Sequence, residues 1–262
     1  MLGTELYADN AVHLWRSMGP GDSDELDAPP GVAIFRLPVR RTIKVVVRRA
    51  MWEAGDWWER LLAAPDREAV LLEDPFGALR PNGNGGAPDA FQNMPVMGAR
   101  AEDVIDHGSS PLVRVEPVRD AEELTGAERI IIDGFPVRDP TPGRPGGHLP
   151  PKLIERPGLR VWSAHRDGRP AGACVSCDDG VAVGIYWLTT LPEYRSTGVG
   201  RALMNAVVGA SPGREIVLTA TDAGVPLYRS LGFTEFSVAA WSTWEPRQRR
   251  AAAPPHRRLG TD

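Results

Sequence analysis

Apolar positions recur at helical spacing from Leu6 to Met18, and the pattern then shortens into the runs GVAIFRLP and TIKVVVRR, which predict two strands. EAGDWWERLLAA returns to a helical period, and EAVLLE is a third strand-like run. The basic run RRTIKVVVRR reads as a solvated strand flank. Trp57 and Trp58 are adjacent on the helix and cannot both face one core, which places one of them at a domain interface. The segment RPNGNGGAPDAF, Arg80 to Phe91, demands a loop, after which MPVMGA resumes as a strand. These elements occupy residues 1–105 and predict an N-terminal α/β accessory domain.

The second half opens on the strand LVRVEPV and the helical run DAEELTGAERIIIDGF, where Asp120 is the cap and Glu123 stands three positions on. From Pro136 to Pro157 the chain is rich in Pro and Gly, a loop long enough to be functional or disordered. The stretch LRVWSAHRDGRPAGACVSCDDGVAVGIYWLTT then holds three strand-like runs, with Asp-Gly turns between them, and reads as an antiparallel meander. A helix from about Gly200, the strand EIVLTA, the helix AGVPLYRSLGF and a last strand near FSVAAWSTW complete residues 111–245. The tail, 246–262, is basic and Pro-rich and is expected to be flexible.

Composition narrows the classes. The 262 residues exceed the roughly 100–200 of one ordinary domain. With 42% hydrophobic and 24% charged residues, the chain can bury a core. A formal charge of −4 gives no broad cationic field, so nucleic acid is not the expected partner. No basic flank and apolar core opens the chain and no apolar run would span a bilayer, so the expectation is a cytoplasmic protein without membrane attachment. Cys174 and Cys177 form a lone C-x-x-C, but residues three apart on a strand point to opposite faces, so they read as ordinary strand cysteines and no metal is expected.

The stretch LTTLPEYRSTGVGRALM, Leu188 to Met204, carries the chemistry. It passes from a strand through a glycine turn into a helix, where unpaired N–H groups converge with the positive end of the helix dipole. Such a turn binds a phosphate or diphosphate. Gly198 and Gly200 allow close approach, and Arg195 and Arg201 add positive charge. A Walker loop is absent. The dinucleotide fingerprint fails at Leu203, where its third glycine would stand.

The order Arg195-Ser196-Thr197-Gly198-Val199-Gly200-Arg201-Ala202 after LTTLPEY, followed by a helix, a strand and PLYRSLGF, resembles the GNAT acyltransferase superfamily. Leu227-Tyr228 and Leu231-Gly232-Phe233 resemble its second cofactor motif. The resemblance covers about residues 111–245 and implies an α+β fold: a mixed, mostly antiparallel central sheet flanked by helices. It also implies acetyl-CoA as cofactor, a bulge or splay near Leu188, Thr189 and Thr190 for the pantetheine arm, and a diphosphate site over Ser196 to Arg201. Transfer would go directly from the thioester to a primary amine, on a small molecule or a peptide. Tyr228 holds the family's general-acid position. GIYWLTT lacks the carboxylate that many relatives use as base, and Thr221-Asp222 stands where many carry an asparagine. The segment Gly134 to Gly158 is expected to border the amine, with Phe135, His148 and Tyr186 as candidate contacts. The first half faintly resembles a degenerate copy of the same fold, as in tandem members. A homodimer is left open, and the alternative to an enzyme is an acyl-CoA-binding sensor that has lost turnover.

Overall fold

The computed structural model describes residues 2–50, 56–64, 67–78, 86–108, 110–134 and 146–246. The first half contains α1 (Leu2–Met18), β1 (Asp24–Leu26), β2 (Val32–Leu37), β3 (Thr42–Val47), α2 (Asp56–Ala63), β4 (Ala69–Asp74) and β5 (Ala90–Arg100). The second contains β6 (Val113–Pro117), α3 (Ala121–Gly134), β7 (Leu159–Arg166), β8 (Arg169–Asp178), β9 (Ala182–Thr190), α4 (Val199–Gly209), β10 (Glu215–Thr219), α5 (Val225–Ser230) and β11 (Thr234–Trp244). Each apolar run named above supplies one of these elements. MPVMGA lies within a longer strand that begins at Ala90, and Arg80 to Gly85 of the expected loop lie outside the described residues.

All the strands join one eleven-stranded sheet, in the order β1-β2-β3-β4-β11-β5-β10-β9-β8-β7-β6. Pairing is antiparallel except between β3 and β4 and between β9 and β10. Local chemistry fixes the meander. The β7–β8 turn places Asp167 and Gly168 at φ 50° and 74°, the left-handed values that a two-residue hairpin needs. Asp120 caps α3, its Oδ1 accepting the N–H groups of Glu122 and Glu123, while Glu123 Oε2 accepts the N–H of Arg119. The boundary read between residues 105 and 111 falls inside this sheet. β5, from the first half, lies between β10 and β11 of the second, and β11 pairs with β4 as well as β5.

The sheet buries apolar side chains on both faces. One face packs on α1 and α3 through Tyr7, Trp15, Ile131, Val175 and Cys177; the other packs on α4 and α5 through Cys174, Val183, Leu203 and Tyr228. Cys174 and Cys177 thus sit on opposite faces, and burial raises the pKa of both thiols. A third cluster fills the β2–β4 end around Trp58 and Trp244, whose rings meet edge to face at 5.2 Å. Trp57 packs against this same cluster instead of turning to a separate interface.

The middle of RRTIKVVVRR departs from the expected solvated flank. Lys44 is 0% exposed, and its ammonium pairs with Glu73 of β4 at 2.5 Å. The adjacent parallel strands bring the pair together, because Lys44 is registered opposite Leu71 and Val46 opposite Glu73. Removing one partner of such a pair would leave a buried charge uncompensated, at a cost of about 3–5 kcal/mol.

Candidate cofactor and acceptor site

The site begins where two strands part. β9 and β10 run parallel and pair from Ala182 to Gly184 against Glu215 to Val217. Beyond Gly184 this ladder ends, although the strands continue to Thr190 and Thr219. On its other edge β9 stays paired with β8, but the two steps from Ala173 to Val175 answer three steps from Thr189 back to Tyr186. The extra residue is a bulge, absorbed at Trp187 with φ 51°. It begins just before the Leu188-Thr189-Thr190 stretch where a splay was expected.

The bulge also sorts side chains. Tyr186 and Trp187, though adjacent, both pack against the α1/α3 face, whereas Leu188 packs against the α4/α5 face. Thr189 turns towards α3, where a Cβ on Gly134 would come 2.5 Å from its methyl group. Thr190 turns towards α4, its Oγ1 lying 3.6 Å from where a Cβ on Gly200 would stand.

The glycine turn follows. Pro192–Tyr194 forms a short 3-10 turn with Glu193 exposed, then Ser196 takes φ 61° and Gly198 caps α4 at φ 90°. Thr197 Oγ1 donates to the carbonyl of Tyr194 at 2.6 Å, and Arg166 Nη1 donates to the carbonyl of Thr197 at 2.8 Å. The ladder of α4 opens with Ala202 N–H to Gly198 C=O, so the N–H groups of Val199, Gly200 and Arg201 have no intrahelical acceptor. No acidic side chain occupies the first turn. The result is a local concentration of positive potential at the mouth of the splay.

The two glycines have different jobs. At Gly198 a methyl group in place of the hydrogen would meet nothing nearer than Ser110 Cβ at 3.7 Å, so conformation, and not crowding within the chain, demands glycine. At Gly200 a Cβ would come 3.1 Å from Leu227 Cδ2, so glycine lets α4 approach α5 closely. Ala202 and Val199 anchor the turn in the core. Arg195 is exposed, with Nη2 3.4 Å from the carbonyl of Gly134; Arg201 is half-buried.

α5 places Tyr228 in the cluster that also holds Val199, Leu188 and Leu227. Its side chain belongs to a residue 6% exposed, and its ring lies 5.9 Å from Phe233. Burial, and secondarily Cys174, raises the phenol pKa, so the hydroxyl stays protonated through the neutral range and can only donate a proton there.

His148 and Tyr186 come together on the opposite face, joined by Trp187: the His148 ring meets Trp187 edge to face at 4.8 Å, and Tyr186 lies 6.1 Å from it. His148 is 4% exposed, and burial, then Arg40, drives its pKa well below the usual value, leaving a neutral ring. Its backbone N–H, with those of Gly146 and Leu149, donates to the buried carboxylate of Glu128. The Tyr186 hydroxyl donates to Asn10 Oδ1 at 2.7 Å, and burial raises its pKa. Phe135 lies outside the described residues.

Sequence reasoning missed what the first half adds here. Trp15 of α1 stands 6.1 Å from Trp187, and Arg40 lies over both rings while its Nε donates to the carbonyl of Gly147. Only the long-range fold makes these residues neighbours. Among the described residues no helix is long and apolar enough to cross a membrane, and no group of three or more His, Cys, Asp and Glu is placed to hold a metal ion.

The comparisons agree with this geometry. A family model described as an acetyltransferase (GNAT) domain matches residues 157–235. Among solved structures, a GCN5-related N-acetyltransferase from Kribbella flavida is 17% identical, covers 90% of this chain and 95% of its own, and superposes with a TM-score of 0.60. A putative GNAT-family acetyltransferase from Novosphingobium aromaticivorans is 15% identical over 84% and 91% of the two chains, with a TM-score of 0.56. A functionally unknown conserved protein from Staphylococcus epidermidis, 14% identical over 86% and 95%, superposes at 0.60. These likenesses are of fold, and they extend across both halves. No curated protein matches. With its splayed strands, glycine-capped helix and family match, the stretch 157–235 belongs to the GNAT acetyltransferase family.

Proposed function

We propose that the protein is an acetyl-CoA-dependent N-acetyltransferase that acts on a primary amine. The observation that carries this reading is the coincidence of the β9–β10 splay, open beyond Gly184, with the free N–H groups of the Gly198-capped helix. The splay offers backbone groups to an amide-bearing arm, and the helix end suits a diphosphate. The residues therefore fit CoA.

Bound acetyl-CoA supplies an activated acyl thioester. The chain's own residues do the rest. The N–H groups of Val199 to Arg201, with Arg195 and Arg201, hold the diphosphate, and Leu188 to Thr190 line the arm. Tyr228 keeps a proton ready for the departing thiolate, because its burial disfavours the phenolate. The walls around Trp187 and His148, on the other face, border the amine. Neutral His148 there offers a lone pair to the amine.

The test is calorimetry with CoA and a thiol-release assay with acetyl-CoA and a panel of primary amines. Wild type is expected to bind CoA and to release thiol with at least one amine. Gly198→Val forces a branched residue to φ 90°, a strain of about 1–3 kcal/mol, and is expected to abolish CoA binding while the protein stays folded. Unchanged CoA affinity in that variant would refute the turn as the cofactor site. CoA binding without thiol release for any amine would favour an acyl-CoA sensor.

A further inference from the structure

The missing carboxylate of β9 has a substitute on β4. A chain of hydroxyls leads from the end of β10 to the buried Glu73. Thr219, the last residue of β10 and half-buried, lies past the point where β10 parts from β9. Its Oγ1 is 3.3 Å from Tyr7 Oη, and Tyr7 Oη donates to Glu73 Oε1 at 2.5 Å. Since the Tyr7 proton is committed to Glu73, the Thr219 hydroxyl is the donor to Tyr7. The direction of the whole chain is thereby set, from the splay towards the carboxylate.

Three further observations mark this as more than packing. Glu73 is 2% and Lys44 0% exposed, and a buried ion pair stabilises a fold no better than apolar residues of the same volume. Half-buried aromatic rings lie beside the chain: Tyr186 is 6.5 Å from Tyr7, and Trp187, next to Tyr186, is 6.1 Å from Trp15. Around the same region Trp241 Nε1 and His148 Nε2 are buried with no hydrogen-bond partner among the described residues, and Trp241 holds the Lys44 ammonium over its ring at 4.0 Å. Orphaned polar atoms beside these rings point to a polar occupant.

Resting on the acetyltransferase reading above, we propose that Glu73 is the terminal acceptor of the amine's proton, reached through Thr219 and Tyr7. The amine enters as its ammonium and passes one proton to Thr219 Oγ1; the freed nitrogen then bonds to the thioester carbon as the carbon–sulfur bond breaks, and its second proton leaves to water. The Thr219 proton passes to Tyr7 Oη, and the Tyr7 proton to Glu73 Oε1. Glu73 ends as a carboxylic acid, both hydroxyls are restored, and the thiolate takes the Tyr228 proton. Glu73 later returns its proton to water along the same chain, and water reprotonates Tyr228. Lys44 stays paired with Glu73 across β3 and β4. The groups facing Glu73 are Tyr7 from α1, Lys44 from β3 and, through space, Tyr186 from β9, with Arg40 beyond Lys44. Thr219 is then the residue that touches substrate. Tyr7 and Glu73 act through it.

The experiment measures acetyl transfer from acetyl-CoA to benzylamine, tyramine, spermidine and a peptide with a free N-terminus, with kcat followed against pH. Tyr7→Phe keeps the ring and the Lys44–Glu73 pair but cuts the chain. It is expected to lower kcat at neutral pH by about 10²–10⁴-fold without changing acetyl-CoA affinity. Its activity should then climb about tenfold per pH unit towards the pKa of the amine, because only amine already deprotonated by solvent reacts. Thr219→Val tests the same link should Tyr7→Phe not fold, and the double variant Glu73→Gln/Lys44→Met removes the acceptor without leaving a lone buried charge. Wild-type pH dependence in these variants, with activity scaled only by the folded fraction, overturns the proposal and leaves the acetyltransferase reading standing. A wild type that binds acetyl-CoA but transfers to none of the four amines defeats both together.

Discussion

Tyr228 and His148 owe their chemistry to the same force acting on opposite charge types. Burial disfavours the charged form, so the phenol is held protonated and the imidazole neutral. For Tyr228 the consequence is a proton donor that survives to high pH. Tyr228→Phe keeps the packing against Phe233 and removes only the donor, so CoA affinity should hold while kcat falls about 10²–10⁴-fold. Loss of binding as well would show that the hydroxyl positions the cofactor; unchanged kcat would show that water protonates the thiolate. For His148 the consequence is a stability that depends on pH. Its folded pKa lies below the unfolded value of about 6.5, so the unfolded chain binds more protons between those two values, and stability falls as pH drops through that window. The slope approaches about 1.4 kcal/mol per pH unit per proton. Denaturation of His148→Gln followed from pH 7 to pH 5 should show a shallower loss than wild type. An equal slope would mean that other groups set the acid sensitivity.

Each helix and strand of the second half was legible because its local chemistry agrees with its tertiary role. Asp120 sits where a cap is needed, Asp167-Gly168 where a hairpin turn needs left-handed angles, and Gly198 where the chain must enter α4 at φ 90°. The glycine turn could be read for the same reason: glycine spacing, helix start and flanking arginines lie within one continuous stretch. The bulge at Trp187 was legible only through family resemblance. Nothing in GIYWLTT itself requires a tryptophan at φ 51°; that angle is imposed when β9 must follow β8 while leaving β10. The buried pair was misread because one strand, seen alone, shows Lys44 as a polar interruption beside basic flanks. Its partner Glu73 lies on the next strand, and a parallel crossover brings them together. Long-range register of that kind leaves no periodic trace in either strand.

The two halves of the molecule share one sheet, and this determines how it should unfold. β5 fills the place between β10 and β11, and β11 in turn pairs with β4 through Val70 to Asp74. Neither half therefore closes its own sheet: without β5 the second half exposes the edge of β10, and without β11 the first half exposes the edge of β4. Trp244 of β11 also completes the cluster around Trp58, and Tyr7 and Trp15 of α1 are buried against the sheet face that carries Val175 and Cys177. An unpaired edge beside uncovered apolar residues favours aggregation over independent folding. Intact protein is accordingly expected to unfold in a single calorimetric transition, with van't Hoff and calorimetric enthalpies in agreement. A chain divided between residues 105 and 111 gives the sharper test. Each fragment expressed alone should be insoluble or lack a cooperative transition, whereas the two expressed together should assemble, bind CoA and melt as one unit. A fragment from 111 onward that folds and binds CoA by itself would show that β5 merely decorates the second half. Its placement between β10 and β11 would then need a reason other than completing the sheet that carries the glycine turn.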